Sequence, residues 1–309
     1  MNEYFFAYYR LLMDDGIANN DLIKKRFANL TTPLPYTHTF TWRLGDVDEL
    51  EEKRTWAQGC PVAYDYGLFT LHETDGGWAS VSNLFYELYY GEEAKSVVLC
   101  SRDYRDITVW ATERSFEIKR NRQVLDMHSQ PFFPLFLNVC SACRAGMVLQ
   151  SGLPLHASMV EKDGFGVLFL GPSGRGKSTQ AKLWKNYLGA DFPIDDGPIM
   201  RKVDGQWIGF GMPWVGPHDA IYRQVSVPVK ALVWLEQAKE NRIVPMNPVQ
   251  AMGVMLKQAM IMMPVWDDAA MDVATNMMGI AAQELPMFHL RCLPNEAAAR
   301  LTYETICKL

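Results

Sequence analysis

The residues best equipped for chemistry lie in one short run, GPSGRGKST from Gly171 to Thr179, directly after the apolar stretch FGVLFL. Gly171, Gly176, Lys177 and Ser178 satisfy the phosphate-loop pattern G-x-x-x-x-G-K-[ST]. A strand-like run before the loop and a helix-like run after it, KSTQAKLWKNYL, supply the context that this pattern requires. The glycines let backbone N–H groups turn inward onto phosphate oxygens, Lys177 sets a mobile positive charge against the β and γ phosphates, and Ser178 offers a hydroxyl to Mg²⁺. The helix that starts there adds about half a unit of positive charge through its dipole. The expectation is a nucleotide, ATP with Mg²⁺, cradled by Gly171, Pro172, Ser173, Gly174, Arg175, Gly176, Lys177, Ser178 and Thr179.

Asp195 and Asp196 follow Phe192, Pro193 and Ile194, an apolar approach that suits a strand ending beside the loop. Adjacent carboxylates repel unless a cation or a proton lies between them. Next to a phosphate loop, the pair reads as one carboxylate holding Mg²⁺ with Ser178 and another accepting a proton from an attacking hydroxyl. The sequence leaves open which does which, and a surface Asp-Asp-Gly turn is the plain alternative. By residue type alone, His156 in PLHAS is a hydrogen-bonded structural histidine. Arg223, in HDAIYRQ, is the arginine after the pair best placed for developing phosphoryl charge, whereas His218 and Asp219 suit a helix cap and Trp214 a core position. Cys140 and Cys143 form a CxxC inside PLFLNVCSACRAGMVLQ with no second ligand pair at zinc spacing, so they read as buried structural thiols.

The elements that must hold these residues follow from residue 131 onward. A helix to about Gln150 precedes two apolar runs joined by Lys162, Asp163 and Gly164, a hairpin that feeds the glycine loop. The helix after the loop ends at Gly189, and Asp204 with Gly205 marks a second hairpin. A strand PVKALVWLEQ, two methionine-rich helices, a strand PMFHLRCL and a closing helix complete an α/β nucleotide-binding domain over 131–309. Residues 1–130 read as a smaller, mostly β domain that begins with a helix, its aromatic and β-branched runs separated by turn signals.

Composition narrows the field further. A chain of 309 residues has room for two cores, and a net charge of −5 with 21% charged residues gives no nucleic-acid footprint. The start MNEYFFAYYRLLMDDG has no basic segment before an apolar core, and no uninterrupted apolar stretch reaches the roughly 20 residues of a bilayer span. The expectation is a cytoplasmic protein with neither nucleic acid nor membrane as partner. A homo-oligomer is compatible with the sequence.

The order LHAS, KDG turn, strand, GPSGRGKST and DD pair resembles the catalytic domain of HPr kinase/phosphorylase and its relatives, a fold shared with phosphoenolpyruvate carboxykinases. The resemblance covers roughly residues 150 to 245, with GMPWVG and VPVKALVWLEQAKENRI similar to a variant branch that includes kinases acting on a serine of ribosomally made precursors, as in lasso-peptide pathways. It implies that His156, Asp195 and Asp196 surround the γ-phosphate as the catalytic group. Residues 1–130 do not match the usual N-terminal domain of the sugar-regulatory enzyme, and the arginine-containing signature loop after the pair has no counterpart. The transfer it implies is therefore a serine (or threonine) kinase acting on a peptide or small protein, with residues 1–130 helping to recognise the acceptor. A small-molecule kinase and a non-catalytic nucleotide sensor are the alternatives.

Overall fold

A computed structural model describes residues 1–19, 23–24, 27–65, 69–82, 95–111, 133–213, 223–262 and 268–309. Trp214, His218 and Asp219 lie outside them, as does SFEIKR (115–120), one of the aromatic and β-branched runs of residues 1–130. The chain is mixed α/β and divides into two compact units, one of Met1–Lys25 with Pro35–Gly146 and another of Arg26–Leu34 with Met147–Leu309.

The first unit carries an eight-stranded sheet in the order β1-β2-β3-β8-β7-β6-β5-β4. Its strands are β1 (Asn2–Phe6), β2 (Tyr9–Met13), β3 (His38–Leu44), β4 (Val62–Asp65), β5 (Phe69–Thr74), β6 (Gly77–Ser82), β7 (Ser96–Ser101) and β8 (Asp106–Ala111). The N-terminal helix expected from the sequence is instead the β1–β2 hairpin, with Phe6 opposite Tyr9. The physical reason lies in period and turn. Tyr9, Leu11 and Met13 alternate into the core with no exposed surface, and Ala7 and Tyr8 both take positive φ, 49° and 64°, the primed turn that matches strand twist. Helix α1 (Asp15–Ala18) is short, and α2 (Leu50–Gln58) packs Leu50 and Ala57 on Ala79, Val81, Val97 and Trp110.

Helix α3 (Phe133–Leu149) carries the CxxC and falls in the first unit as far as Gly146; the second unit holds β9 (Gly152–Pro154), β10 (Ala157–Lys162), β11 (Phe165–Leu170), α4 (Lys177–Leu188), β12 (Asp191–Ile194), β13 (Ile199–Val203) and β14 (Gln206–Phe210). Next come β15 (Ser226–Gln237), β16 (Arg242–Pro245), α5 (Pro248–Met262), α6 (Asp268–Glu284), β17 (Met287–Cys292) and α7 (Glu296–Ile306). Both expected hairpins are present, β10–β11 about Asp163 and Gly164 and β13–β14 about Asp204 and Gly205. The long strand β15 is the spine: its start pairs antiparallel with β14, and its remainder runs parallel between β11 and β17.

Helices α4 and α7 cover one face of this sheet, where Ala181, Trp184, Ala299 and Ile306 meet Val167, Phe169, Val233 and Leu290. Trp184 stacks edge-on against both Phe169 and Tyr303, with 5.7 Å between ring centroids in each pair. Truncating a buried Trp costs about 3–5 kcal/mol against a total domain stability of about 5–15 kcal/mol, so the helix after the glycine loop is firmly anchored. Among the described residues no helix is long and apolar enough to cross a membrane.

The cysteines follow burial. Cys100, Cys140 and Cys143 are buried free thiols, while Cys307 is exposed. Burial pushes the Cys100 thiol up to about 12. It also holds Cys143 well above the usual thiol range, with Cys140 adding to the shift. Thiolate is the reactive form. A maleimide added to the native chain should therefore label Cys307 first and reach Cys100 and Cys143 only in denaturant; rapid native labelling of Cys143, read by peptide mapping, would contradict this packing.

Candidate functional site

The site is built where three consecutive strands of the second unit end together. Strand β10 pairs antiparallel with β11, Ala157 opposite Leu170, and antiparallel with β12, Met159 opposite Ile194. One residue before Ala157, His156 therefore lies beside Gly171 at the start of the loop and beside the turn that follows Ile194. It sits in the bend just before β10 rather than on a strand. Residues two apart on an extended chain face the same way, which turns Ser158 to the same site as His156.

Strand β11 delivers the loop. Gly174 and Gly176 take φ of 76° and 99°, values that side chains with a Cβ adopt only under strain, and Gly176 is the N-cap of α4. The loop is closed by Arg175 N–H donating to the Pro172 carbonyl at 3.3 Å and by the Gln237 amide donating to the Gly174 carbonyl at 3.3 Å. Pro172, Ser173, Gly174, Arg175 and Thr179 are exposed, Gly171 and Lys177 buried, and Gly176 and Ser178 half-buried.

The side chains converge in two linked groups. Ser178 Oγ donates to Asp195 Oδ1 at 2.8 Å, and Ser158 Oγ donates to the same oxygen at 2.7 Å. His156 Nε2 lies 3.0 Å from Asp196 Oδ1. Lys177 Nζ donates to the Gly171 carbonyl at 3.0 Å and stands 3.2 Å from His156 Nε2. Asp196 holds a left-handed conformation, φ 74°, pinned by the next residue: Gly197 N–H donates to the Ala157 carbonyl at 3.0 Å. Such strain in a side-chain-bearing residue persists only when its surroundings over-determine it. Here the result is that neighbouring carboxylates turn to different partners.

Burial lowers the Lys177 ammonium from its usual range, while the nearby charges of Asp196 and Asp195 pull it back up. The arrangement can therefore present a cation held on backbone oxygens, a carboxylate fed by hydroxyls, and a carboxylate–imidazole pair. The hydroxyl and carboxylate oxygens of Ser178 and Asp195 are hard ligands of the kind Mg²⁺ takes. Among the described residues no three His, Cys, Asp or Glu side chains cluster as a metal cage.

Sequence reasoning missed two participants and misplaced one. Ser158 was marked only by its spacing from His156. Gln258, on α5 and 2% exposed, sends its side-chain amide to within 3.2 Å of His156 Nδ1; its only signal was a polar residue inside an apolar helix. Arg223, expected near phosphoryl charge, is exposed and pairs with Asp191 at 3.0 Å. Asp191 opens β12, at the opposite end of that strand from Asp195.

A family model described as SynChlorMet cassette protein ScmC matches residues 135–292. Among solved structures, the Hpr(Ser) kinase/phosphatase from Coxiella burnetii is similar at 15% identity, with a TM-score of 0.29, over 50% of this chain and 88% of that one. No curated protein matches the chain.

Because the folded Lys177 binds its proton less readily than the unfolded side chain, whose usual value is 10.5, the burial cost is fully present below the folded pKa. It is relieved as pH rises toward the unfolded value. Lys177→Met should remove that cost together with the charge attraction to Asp196 and Asp195. The nucleotide-free variant is expected to melt within about 4 °C of the parent, the size of a shift of order 1 kcal/mol in a domain this large, and to lack the rise in melting temperature that Mg²⁺-ATP is expected to give the parent. An undiminished rise in the variant would remove Lys177 from the site.

Proposed function

This chain belongs to the SynChlorMet cassette protein ScmC family, and from that premise we propose that it is an ATP- and Mg²⁺-dependent kinase of the HPr-kinase type, phosphorylating a seryl (or threonyl) hydroxyl of a peptide or small protein. The observation that carries this reading is the division of labour in the Asp195–Asp196 pair. Asp195 faces the loop hydroxyl of Ser178, 2.8 Å away, and Asp196 faces His156, 3.0 Å away. A nucleotide-binding module has no need of a carboxylate and an imidazole beside the terminal phosphate, whereas a phosphotransferase does.

In this reading the loop amides and Lys177 hold the phosphates, with Lys177 leaving the Gly171 carbonyl for the triphosphate. Ser178 and Asp195 would hold Mg²⁺, which supplies charge neutralisation across the β and γ phosphates. Ser158 keeps Asp195 aimed at the loop. Asp196 accepts the proton of the acceptor hydroxyl as its oxygen bonds to the γ-phosphorus; the bond to the β-phosphate oxygen breaks, and ADP leaves with the electron pair. His156 orients Asp196. The nucleotide-binding α/β domain over 131–309 carries this chemistry, and residues 1–130 recognise the acceptor.

The test is transfer of label from γ-labelled ATP to serine-containing peptides encoded beside the gene. Asp196→Asn should cut the transfer rate by about 10²- to 10⁴-fold, the usual worth of a positioned base, with the KM for ATP little changed. Asp195→Asn should instead raise the Mg²⁺ concentration needed. Near-normal transfer in the Asp195→Asn/Asp196→Asn double variant would mean that the pair is only a turn.

A further inference from the structure

Helix α5 contributes Ala251, Met255 and Ala259 to the core, and Gln258 is buried among them. A buried amide is normally hydrogen-bonded throughout. One end of the Gln258 amide lies 3.0 Å from the His156 carbonyl oxygen and 3.0 Å from the Gly171 carbonyl oxygen, so that end is the NH2, since an oxygen there would face only acceptors. The same nitrogen is 3.2 Å from His156 Nδ1. Its two hydrogens are shared among these acceptors, and Nδ1, facing a donor, presents its lone pair. The ring proton then sits on Nε2, the atom 3.0 Å from Asp196. The backbones are tied as well: His156 N–H donates to the Gln258 carbonyl at 3.2 Å.

We propose that Gln258 is a positioning residue that selects the Nε2–H tautomer of His156 and fastens the imidazole to the first residue of the glycine loop. With its proton on Nε2, His156 turns that N–H edge toward Asp196 Oδ1, 3.0 Å away, and leaves the carboxylate free to accept the hydroxyl proton, while Lys177 Nζ, 3.2 Å from the same nitrogen, gives its protons to the Gly171 and Pro172 carbonyls. In the other tautomer the Nε2 lone pair would face the carboxylate, and Lys177, 3.2 Å from Nε2, would donate to the ring instead of to a phosphate. The proposal rests on the kinase reading for what the tautomer serves, while the tautomer itself rests on the geometry around Gln258.

The full chain carrying isotope-labelled histidine, in mildly alkaline buffer, reports the tautomer through long-range proton–nitrogen correlations, with the His156 signals identified by their loss in His156→Gln. The parent should show a bare Nδ1 and a protonated Nε2. Gln258→Glu replaces the donor with an acceptor, so it should reverse the tautomer and lower kcat by about tenfold or more, as losing a buried, aligned hydrogen bond does, with the KM for ATP unchanged. A protonated Nδ1 in the parent overturns the proposal, and this arm decides even if Gln258→Glu does not fold. A reversed tautomer with kcat unchanged also overturns it. Absence of Mg²⁺-ATP binding by the parent would instead sink the kinase reading, independently of the tautomer.

Discussion

The antiparallel pairing of β10 with both of its neighbours is the constraint on which the site depends. Because Ala157 stands opposite Leu170 on one side and Met159 opposite Ile194 on the other, the single residue His156 is delivered to the start of the glycine loop and to the Asp195–Asp196 turn together. A slip of one residue would turn His156 and Ser158 to the opposite face of the sheet. The register is held by the side chains that the pairing buries, Val160, Val167, Phe169 and Phe192 among them, in the same core that anchors α4. Folding of the sheet and assembly of the site are one event.

That placement gathers groups that would otherwise avoid one another. A lysine taken out of water, a pair of adjacent carboxylates and a strained αL aspartate each oppose folding alone. They offset one another here: Lys177 is satisfied by the Gly171 carbonyl and Asp195 by the hydroxyls of Ser178 and Ser158, and Asp196 Oδ1 faces the His156 ring at 3.0 Å. The same contacts describe a resting arrangement in which the side chains a nucleotide and its metal would recruit, Lys177, Ser178 and Asp195, already have partners. Nucleotide entry on the kinase reading exchanges partners rather than filling unmet needs, and only Lys177 has to move far.

Local chemistry made much of this legible in the sequence. The glycine loop, the Asp-Gly hairpins and the helix stop at Gly189 each follow from backbone demands that few residues meet, and they appear where expected. The N-terminus misled because MNEYFFAYYRLL is apolar almost throughout, which hides the period-two burial of β2 and a turn made without glycine. Long-range partners were beyond reach for a different reason. Nothing near Gln258 in the chain shows that α5 returns to His156, 102 positions earlier, and nothing near Arg223 shows that Asp191 claims it. Those choices are made by the packing of helices on the sheet and not by residue type.

The most direct measurement of the central claim is a crystal structure of the full chain with Mg²⁺ and a non-hydrolysable ATP analogue. The account predicts a metal bridging Ser178 Oγ and Asp195, Lys177 Nζ moved from the Gly171 carbonyl onto the phosphates, and Asp196 with His156 facing the γ-phosphate. A nucleotide bound elsewhere, or one in the loop with Lys177 still on the Gly171 carbonyl and no metal at Asp195, would contradict it.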